Sequence, residues 1–200
     1  MIVSVHTARV RVVLLVHGAT SAVRRASFAA DEPLEDDALA VPPVLPGYED
    51  VRCAPSLRCR RTADGLGLPA AVDEELTGLD HGKWTGRTLD EVAAEDPAGL
   101  TQWLTEPDST PHGGESTAAF VSRIGAWLRA VPARPQGLLA VVDPAVVRAA
   151  VAHALGAPPA AFWRVDVDPL AVAVLIGESG RWTLRELRTG PRRGAGGTPP

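Results

Sequence analysis

The apolar positions of this chain fall into short continuous runs separated by longer stretches with helical spacing. Residues 9–16 (RVRVVLLV) and 137–142 (GLLAVV) are apolar with little alternation, which is typical of strands covered on both faces. Three further strands are predicted at residues 50–54, 170–177 and 181–188, and the last two are joined by a hairpin turn at residues 178–180.

The remaining periodic segments predict helices. These segments are residues 56–66, 88–95, 98–104, 116–130 and 144–155. Ser56 is a candidate N-cap, and Pro144 suits the first turn of its helix. Residues 21–48 carry charge clusters and a proline-rich stretch, so we expect mostly loop there.

Strands interleaved with helices predict an α/β fold with a mostly parallel central sheet and an antiparallel edge. We expect one domain over residues 1–188 and a disordered tail over residues 189–200, which are rich in glycine and proline. Ligands of such sheets bind beyond the carboxyl ends of the strands. His17 and Asp143 each follow a buried strand, so both are expected at that edge.

Composition narrows the classes of protein. The chain has 200 residues, of which 46% are hydrophobic and 22% charged, so a substantial core is expected. A net charge of -4 argues against nucleic acid as a partner. No apolar run is long enough for a membrane span and no signal peptide is evident, which favours a cytoplasmic protein. We expect Cys53 and Cys59 to be buried free thiols; a disulfide is only weakly indicated.

Five short motifs carry the candidate chemistry, in this order: VHGAT at residues 16–20, APSLRCRRTA at 54–63, LTGLDHGKWTG at 76–86, HGGES at 112–116, and VVDP at 141–144 with a Val-Arg pair at 147–148. In their order and spacing they resemble the motifs of the histidine phosphatase superfamily, the phosphoglycerate mutase-like proteins. The resemblance runs from about Val10 to about Leu187. It implies a three-layer sandwich around a mostly parallel sheet.

The resemblance also implies a chemistry and shows where this chain departs from it. In the family a histidine attacks phosphorus, two arginines and a second histidine hold the phosphoryl oxygens, and a glutamate protonates the leaving group. His17 stands at the nucleophile and Arg58 at the second arginine. The first arginine, the glutamate and the second histidine are replaced by Val16, Gly78 and Asp143.

These replacements change the charge of the expected pocket. At about 4 Å and an effective dielectric of about 20, one unit-charge interaction is worth roughly 4 kcal/mol before desolvation. Val16 removes a cation, and Asp143 introduces an anion beside the phosphoryl position. We therefore expect weak phosphate affinity and weak or absent phosphatase activity.

The residues that remain define the candidate site. His17 and Asp143 are the candidate catalytic pair, because a carboxylate beside an imidazole supports general acid or base chemistry. Asp143 alternatively serves only as the N-cap of the helix after it. The candidate substrate-binding residues are Thr20, Arg58, His81, His112 and Glu115. No cofactor is implied, and the spacing of the histidines fits no local metal motif, so no metal is expected.

Three hypotheses follow for the function. The first is an enzyme repurposed for acid–base chemistry on a small molecule, in which His17 and Asp143 transfer the proton. A biosynthetic role is one form of this hypothesis. The second is a non-catalytic pseudophosphatase or binding protein, and the third is a weak phosphomonoesterase acting through phosphohistidine at His17. In all three the partner is a small molecule rather than nucleic acid or a membrane. Members of the family are often dimers, so a homodimer is one possibility. No interface signature is evident in the sequence.

Overall fold

A six-stranded sheet forms the centre of the computed structural model, which describes residues 9–190. The strands are β1 (Val10–Val16), β2 (Asp50–Cys53), β3 (Ala71–Val72), β4 (Leu138–Val142), β5 (Val172–Glu178) and β6 (Arg181–Arg188). They lie in the order β3-β2-β4-β1-β5-β6. Strands β3, β2, β4 and β1 are parallel neighbours, whereas β5 is antiparallel to both β1 and β6. The predicted mixed fold, mostly parallel with an antiparallel edge, is confirmed.

Six α-helices surround this sheet within the described part of the chain. They are α1 (Ser21–Arg24), α2 (Leu57–Gly65), α3 (Leu89–Glu95), α4 (Pro97–Thr105), α5 (Thr117–Ala130) and α6 (Pro144–Ala154). Three 3-10 turns are found at Glu74–Leu76, Gly82–Trp84 and Pro159–Arg164. None of the helices over residues 9–190 has the length and apolar character needed to span a membrane.

The central strands are buried because helices cover them. Residues 12–16 of β1 have no exposed surface, and all five residues of β4 are buried. Helix α2 packs against β2 and β4, α6 packs against β1 and β6, and α5 lies along α6. The continuous apolar runs of β1 and β4 follow from this, since a strand covered on both faces has no solvent side on which to place polar residues.

The helix starts show where local sequence decides the structure. Ser116 caps α5, because its hydroxyl accepts a hydrogen bond from the backbone N–H of Ala119 at 3.1 Å. Ser56 holds the N-cap position of α2, but its side chain makes no capping hydrogen bond, contrary to expectation. The two-residue β3 and the 3-10 turns were not predicted, since their sequences carry no apolar period.

Two further expectations concern the thiols and the tail. Cys53 and Cys59 are free and buried, as expected. The predicted disordered tail falls largely on residues 191–200, which lie outside the described residues. Gly190, at the start of that segment, is buried.

We predict different effects of removing the two serines. Ser116→Ala should lower the free energy of unfolding by about 1 kcal/mol, because it removes a capping hydrogen bond. Ser56→Ala is the matched control and should cost clearly less, because the Ser56 side chain makes no capping hydrogen bond. Urea denaturation of both variants measures the difference, and equal losses would contradict it.

Candidate active site

The sheet register brings His17 and Asp143 together. Val16 and Val142 are paired at the carboxyl ends of the parallel strands β1 and β4, so the residues that follow them are neighbours. The backbone N–H of His17 donates to the carbonyl of Val142 at 3.0 Å. Nε2 of His17 then lies 3.2 Å from Oδ1 of Asp143, and both side chains are buried.

Arg58, on the first turn of α2, completes a buried triad with these two residues. Its Nε donates to the same oxygen, Oδ1 of Asp143, at 2.5 Å, and its Nη1 donates to the carbonyl of Ala30 at 2.9 Å. Arg58 and His17 therefore share one carboxylate oxygen. In the resemblance the counterpart of His17 attacks phosphorus and that of Arg58 holds phosphoryl oxygens, whereas here both side chains contact Asp143.

Thr62 ties the loop after β1 to α2. Its hydroxyl donates to the carbonyl of Arg58 at 2.8 Å and accepts from the backbone N–H of Gly18 at 2.9 Å. The hydroxyl is fully satisfied in this arrangement, which holds the backbone on both sides of the triad. Thr62 belongs to the motif at residues 54–63, but this role could not be predicted from the sequence.

Each ring nitrogen of His17 lies against a hydrogen-bond acceptor. Nδ1 lies 2.7 Å from the carbonyl oxygen of Gly18, and a carbonyl only accepts hydrogen bonds. Nε2 faces a carboxylate oxygen, which also only accepts. Both contacts are hydrogen bonds only when both ring nitrogens carry a proton. A protonated Nε2 has no lone pair with which to attack phosphorus.

Asp143 stays ionised in spite of its burial. Burial alone would raise the pKa of this carboxyl, but the hydrogen bond from His17 and the charge of Arg58 outweigh it and lower the pKa from 3.8 to about 2. Asp143 also occupies the N-cap position of α6, yet its side chain makes no capping hydrogen bond. The alternative that it serves only as a helix cap is therefore wrong.

Gly78 lies against the second oxygen of this carboxylate. A Cβ atom at position 78 would come within 2.7 Å of Oδ2 of Asp143, which is closer than carbon and oxygen can approach. The backbone itself does not demand glycine, because the φ of Gly78 lies outside the left-handed region. Gly78 is therefore the residue that leaves room for Asp143, and two departures from the family motif fit each other sterically.

A cavity of about 530 Å³ opens from the triad. This volume lies in the range of small-molecule sites. Besides His17, the cavity has a mainly apolar lining that includes the aromatic side chains of Phe28, Trp103, Phe162 and Trp163. Adjacent rings contact each other edge to face: the centroids of Trp103 and Trp163 are 4.4 Å apart, which makes this wall rigid.

Of the predicted substrate-binding residues, Thr20, Arg58 and His81 line this cavity. Burial, and to a smaller degree the nearby His112, lower the pKa of His81 to about 4, so this ring is neutral at pH 7. His112 does not line the cavity: it is buried behind it, and its Nδ1 accepts from the backbone N–H of Gly114 at 2.9 Å. Glu115 also lies elsewhere, paired with Arg123 at 2.8 Å.

Some residues that shape the site had no signal in the sequence. Arg123 of α5 pairs with Glu115 and also donates to the carbonyls of Glu75 and Thr77, which fixes the segment before Gly78. The aromatic wall comes from three separate segments: one holds Phe28, one holds Trp103, and one holds the adjacent pair Phe162 and Trp163. No local sequence pattern links these aromatic residues, because only the fold brings their rings together.

A mostly parallel sheet, with a histidine after its central strand and an arginine from the next helix, defines an α/β protein whose candidate active site lies at the carboxyl edge. The chain belongs to the histidine phosphatase superfamily (branch 1), whose family model matches residues 12–189.

One curated relative is a phosphatase by name. Phosphoserine phosphatase 1 of Hydrogenobacter thermophilus is 27% identical over 128 residues, which cover 62% of this chain and 61% of that relative. The chain thus matches about three fifths of the length of this curated relative.

Solved structures share the fold at lower identity. Mycobacterial glucosyl-3-phosphoglycerate phosphatase Rv2419c superposes with a TM-score of 0.74 at 22% identity, covering 91% of this chain and 100% of that one. The alpha-ribazole phosphatase of Shigella flexneri gives a TM-score of 0.73 at 21% identity, covering 92% and 100%. At these identities the likeness establishes the fold alone.

We predict that Asp143 makes stability depend on pH in the acid range. Its pKa is lowered on folding, so the stabilisation is complete above about pH 5 and is lost as the pH falls toward 2, by roughly 2 kcal/mol. Asp143→Asn should be the less stable protein at pH 7, and its stability should converge with that of the wild type near pH 2. Urea denaturation from pH 7 to pH 2 measures this.

The exposed Asp90→Asn is the control for this measurement and should track the wild type at every pH. A constant difference between Asp143→Asn and wild type across the whole range would contradict the assignment.

We also predict that positions 78 and 143 are energetically coupled. Gly78→Ala should cost about 1–3 kcal/mol, because its Cβ would overlap a carboxylate held by two partners. In an Asp143→Ala background the same substitution should cost much less. A double-mutant cycle by urea denaturation gives the coupling, and additive effects would show that the contact is unimportant.

Proposed function

We propose that this histidine phosphatase-fold protein is an enzyme that acts on a small molecule by acid–base chemistry rather than by phosphoryl transfer. The observation that carries the proposal is the position of Asp143 Oδ1 between Nε2 of His17 and Nε of Arg58. The two side chains that would meet a phosphoryl group already bind an internal carboxylate. An incoming phosphate ester would have to displace that carboxylate and would be repelled by it.

The proposed chemistry is proton donation by His17. The ring with protons on both nitrogens donates the Nε2 proton to a basic atom of the bound molecule and becomes the neutral tautomer, with Nδ1–H still bonded to Gly18. Asp143 favours the protonated ring beforehand, and Arg58 keeps Asp143 ionised. The cavity supplies a site of low dielectric constant in which such a donor is effective.

A second candidate, a binding protein without catalysis, is favoured by one observation. The pKa of Asp143 near 2 makes this carboxylate a poor base at pH 7, and its Oδ1 is fully engaged with two partners. A triad that is satisfied internally is also what a purely structural or ligand-recognising pocket would contain. The relatives named above are phosphatases, so hydrolysis is the activity to test first.

Oxyanion binding tests the blocked pocket directly. We expect the wild type to show no thermal stabilisation by about 1 mM orthovanadate, whereas Asp143→Asn, which frees Arg58 and His17, should gain affinity by about tenfold or more. Asp143→Asn combined with Arg58→Gln is the control and should lose the gain. Tight vanadate binding by the wild type would overturn the proposal.

Hydrolysis provides the second test. With p-nitrophenyl phosphate and phosphoserine, the wild type should be no faster than His17→Ala, because Nε2 of His17 faces the Asp143 carboxylate, which also contacts Arg58. A wild-type turnover of about 1 per second or more, within the ordinary range of enzymes and abolished in His17→Ala, would instead establish a phosphatase.

A further inference from the structure

The cavity wall carries an arginine that the triad does not use. Arg148, on α6, lines the cavity and is half-buried. Among the residues that the structure describes, its only hydrogen bond is donated from Nε to the carbonyl of Val165 at 3.0 Å. In the sequence Arg148 is the second residue of the Val-Arg pair that follows the last motif.

Within residues 9–190 no carboxylate lies within ion-pairing distance of Arg148. The acid that acts on it most directly is Asp166, which is exposed and whose Oδ1 accepts from the backbone N–H of Val167. Burial lowers the pKa of Arg148, as expected for a cation without a close counter-ion. By contrast, the charge of Arg58 is matched by Asp143.

The guanidinium of Arg148 is held in place by its surroundings. It lies over the rings of Phe162 and Trp163, 5.9 and 6.0 Å from their centroids, and Nε is fixed by Val165. Its two Nη groups make no hydrogen bond with the described residues. An immobilised fork with free N–H groups beside an aromatic wall is suited to a planar anion attached to an apolar body.

We propose that Arg148 binds the carboxylate of an aromatic or otherwise apolar carboxylic acid in this cavity. A carboxylate carries one charge and is matched by one guanidinium, whereas a phosphate ester dianion would need the additional cations that Asp143 occupies. The apolar body would pack on the wall formed by Trp103, Phe162 and Trp163.

The apolar side chains at the mouth of the cavity favour an apolar ligand. Three apolar side chains that line it remain partly exposed: Val23, Leu89 and Leu104 have 48%, 39% and 45% of their surface accessible. Covering such side chains contributes about 25 cal/mol per Å² of apolar area. This inference rests on the proposed function only in taking the same cavity as the ligand site.

The test compares an acid with its neutral isostere. We expect 3-phenylpropionate to bind the wild type about tenfold or more tightly than 3-phenylpropanamide, since a hydrogen-bonded charge pair is worth about 1.5–3 kcal/mol. Arg148→Gln should remove this preference, whereas the exposed Arg185→Gln on β6 should retain it. Calorimetry or ligand-observed NMR gives the affinities.

Several outcomes would overturn the proposal. These are equal affinity of the acid and the amide for the wild type, no binding of the acid at millimolar concentration, an unchanged preference in Arg148→Gln, or tighter binding of phenyl phosphate through Arg148. The comparison in the wild type does not depend on any variant folding. Vanadate binding or hydrolysis by the wild type would overturn the proposed function alone and leave the acid-to-amide preference as a separate result.

Discussion

One buried carboxylate oxygen organises the candidate site. Oδ1 of Asp143 accepts from both His17 and Arg58, and those three side chains come from the ends of two neighbouring strands and from a helix. A buried carboxylate of this kind persists only when it is paired, because desolvation of an unpaired charge costs several kcal/mol. The ionisation of Asp143 and the orientation of His17 and Arg58 around it are therefore one property of the site.

Charge in the cavity is divided between its floor and its wall. At the floor, His17 and Arg58 both contact one carboxylate, so the charge of Arg58 is paired there with that of Asp143. On the wall, Arg148 keeps its charge without a close counter-ion. A cavity can thus lose the means to hold a phosphoryl group and still favour an anion at another point. The number of charged residues in the motifs does not show this difference between floor and wall. The position of each charge relative to the others decides what the cavity binds.

Sequence reasoning recovered the sheet and the edge at which the site lies for physical reasons. Strands covered on both faces must be apolar throughout, and adjacent parallel strands place the residues that follow them side by side, as with His17 and Asp143. What it missed depends on side-chain geometry. A residue at an N-cap position can turn its side chain to the helix or away from it, so the partners of Asp143 could not be read from position alone. His112 belongs to a segment near the cavity, yet burial behind His81 keeps it out.

The close fit of Gly78 beneath Asp143 bears on how such a site could have arisen. If an ancestor carried the family's glutamate and histidine at these positions, the aspartate could not have settled in its present place while any side chain stood at position 78, since even a Cβ atom would overlap it. The mutational path is then directional. The glutamate that protonates the leaving group would be replaced by glycine first, which would leave a slow intermediate that still binds phosphate. The aspartate would follow, and a side chain at position 78 would then no longer fit beside it.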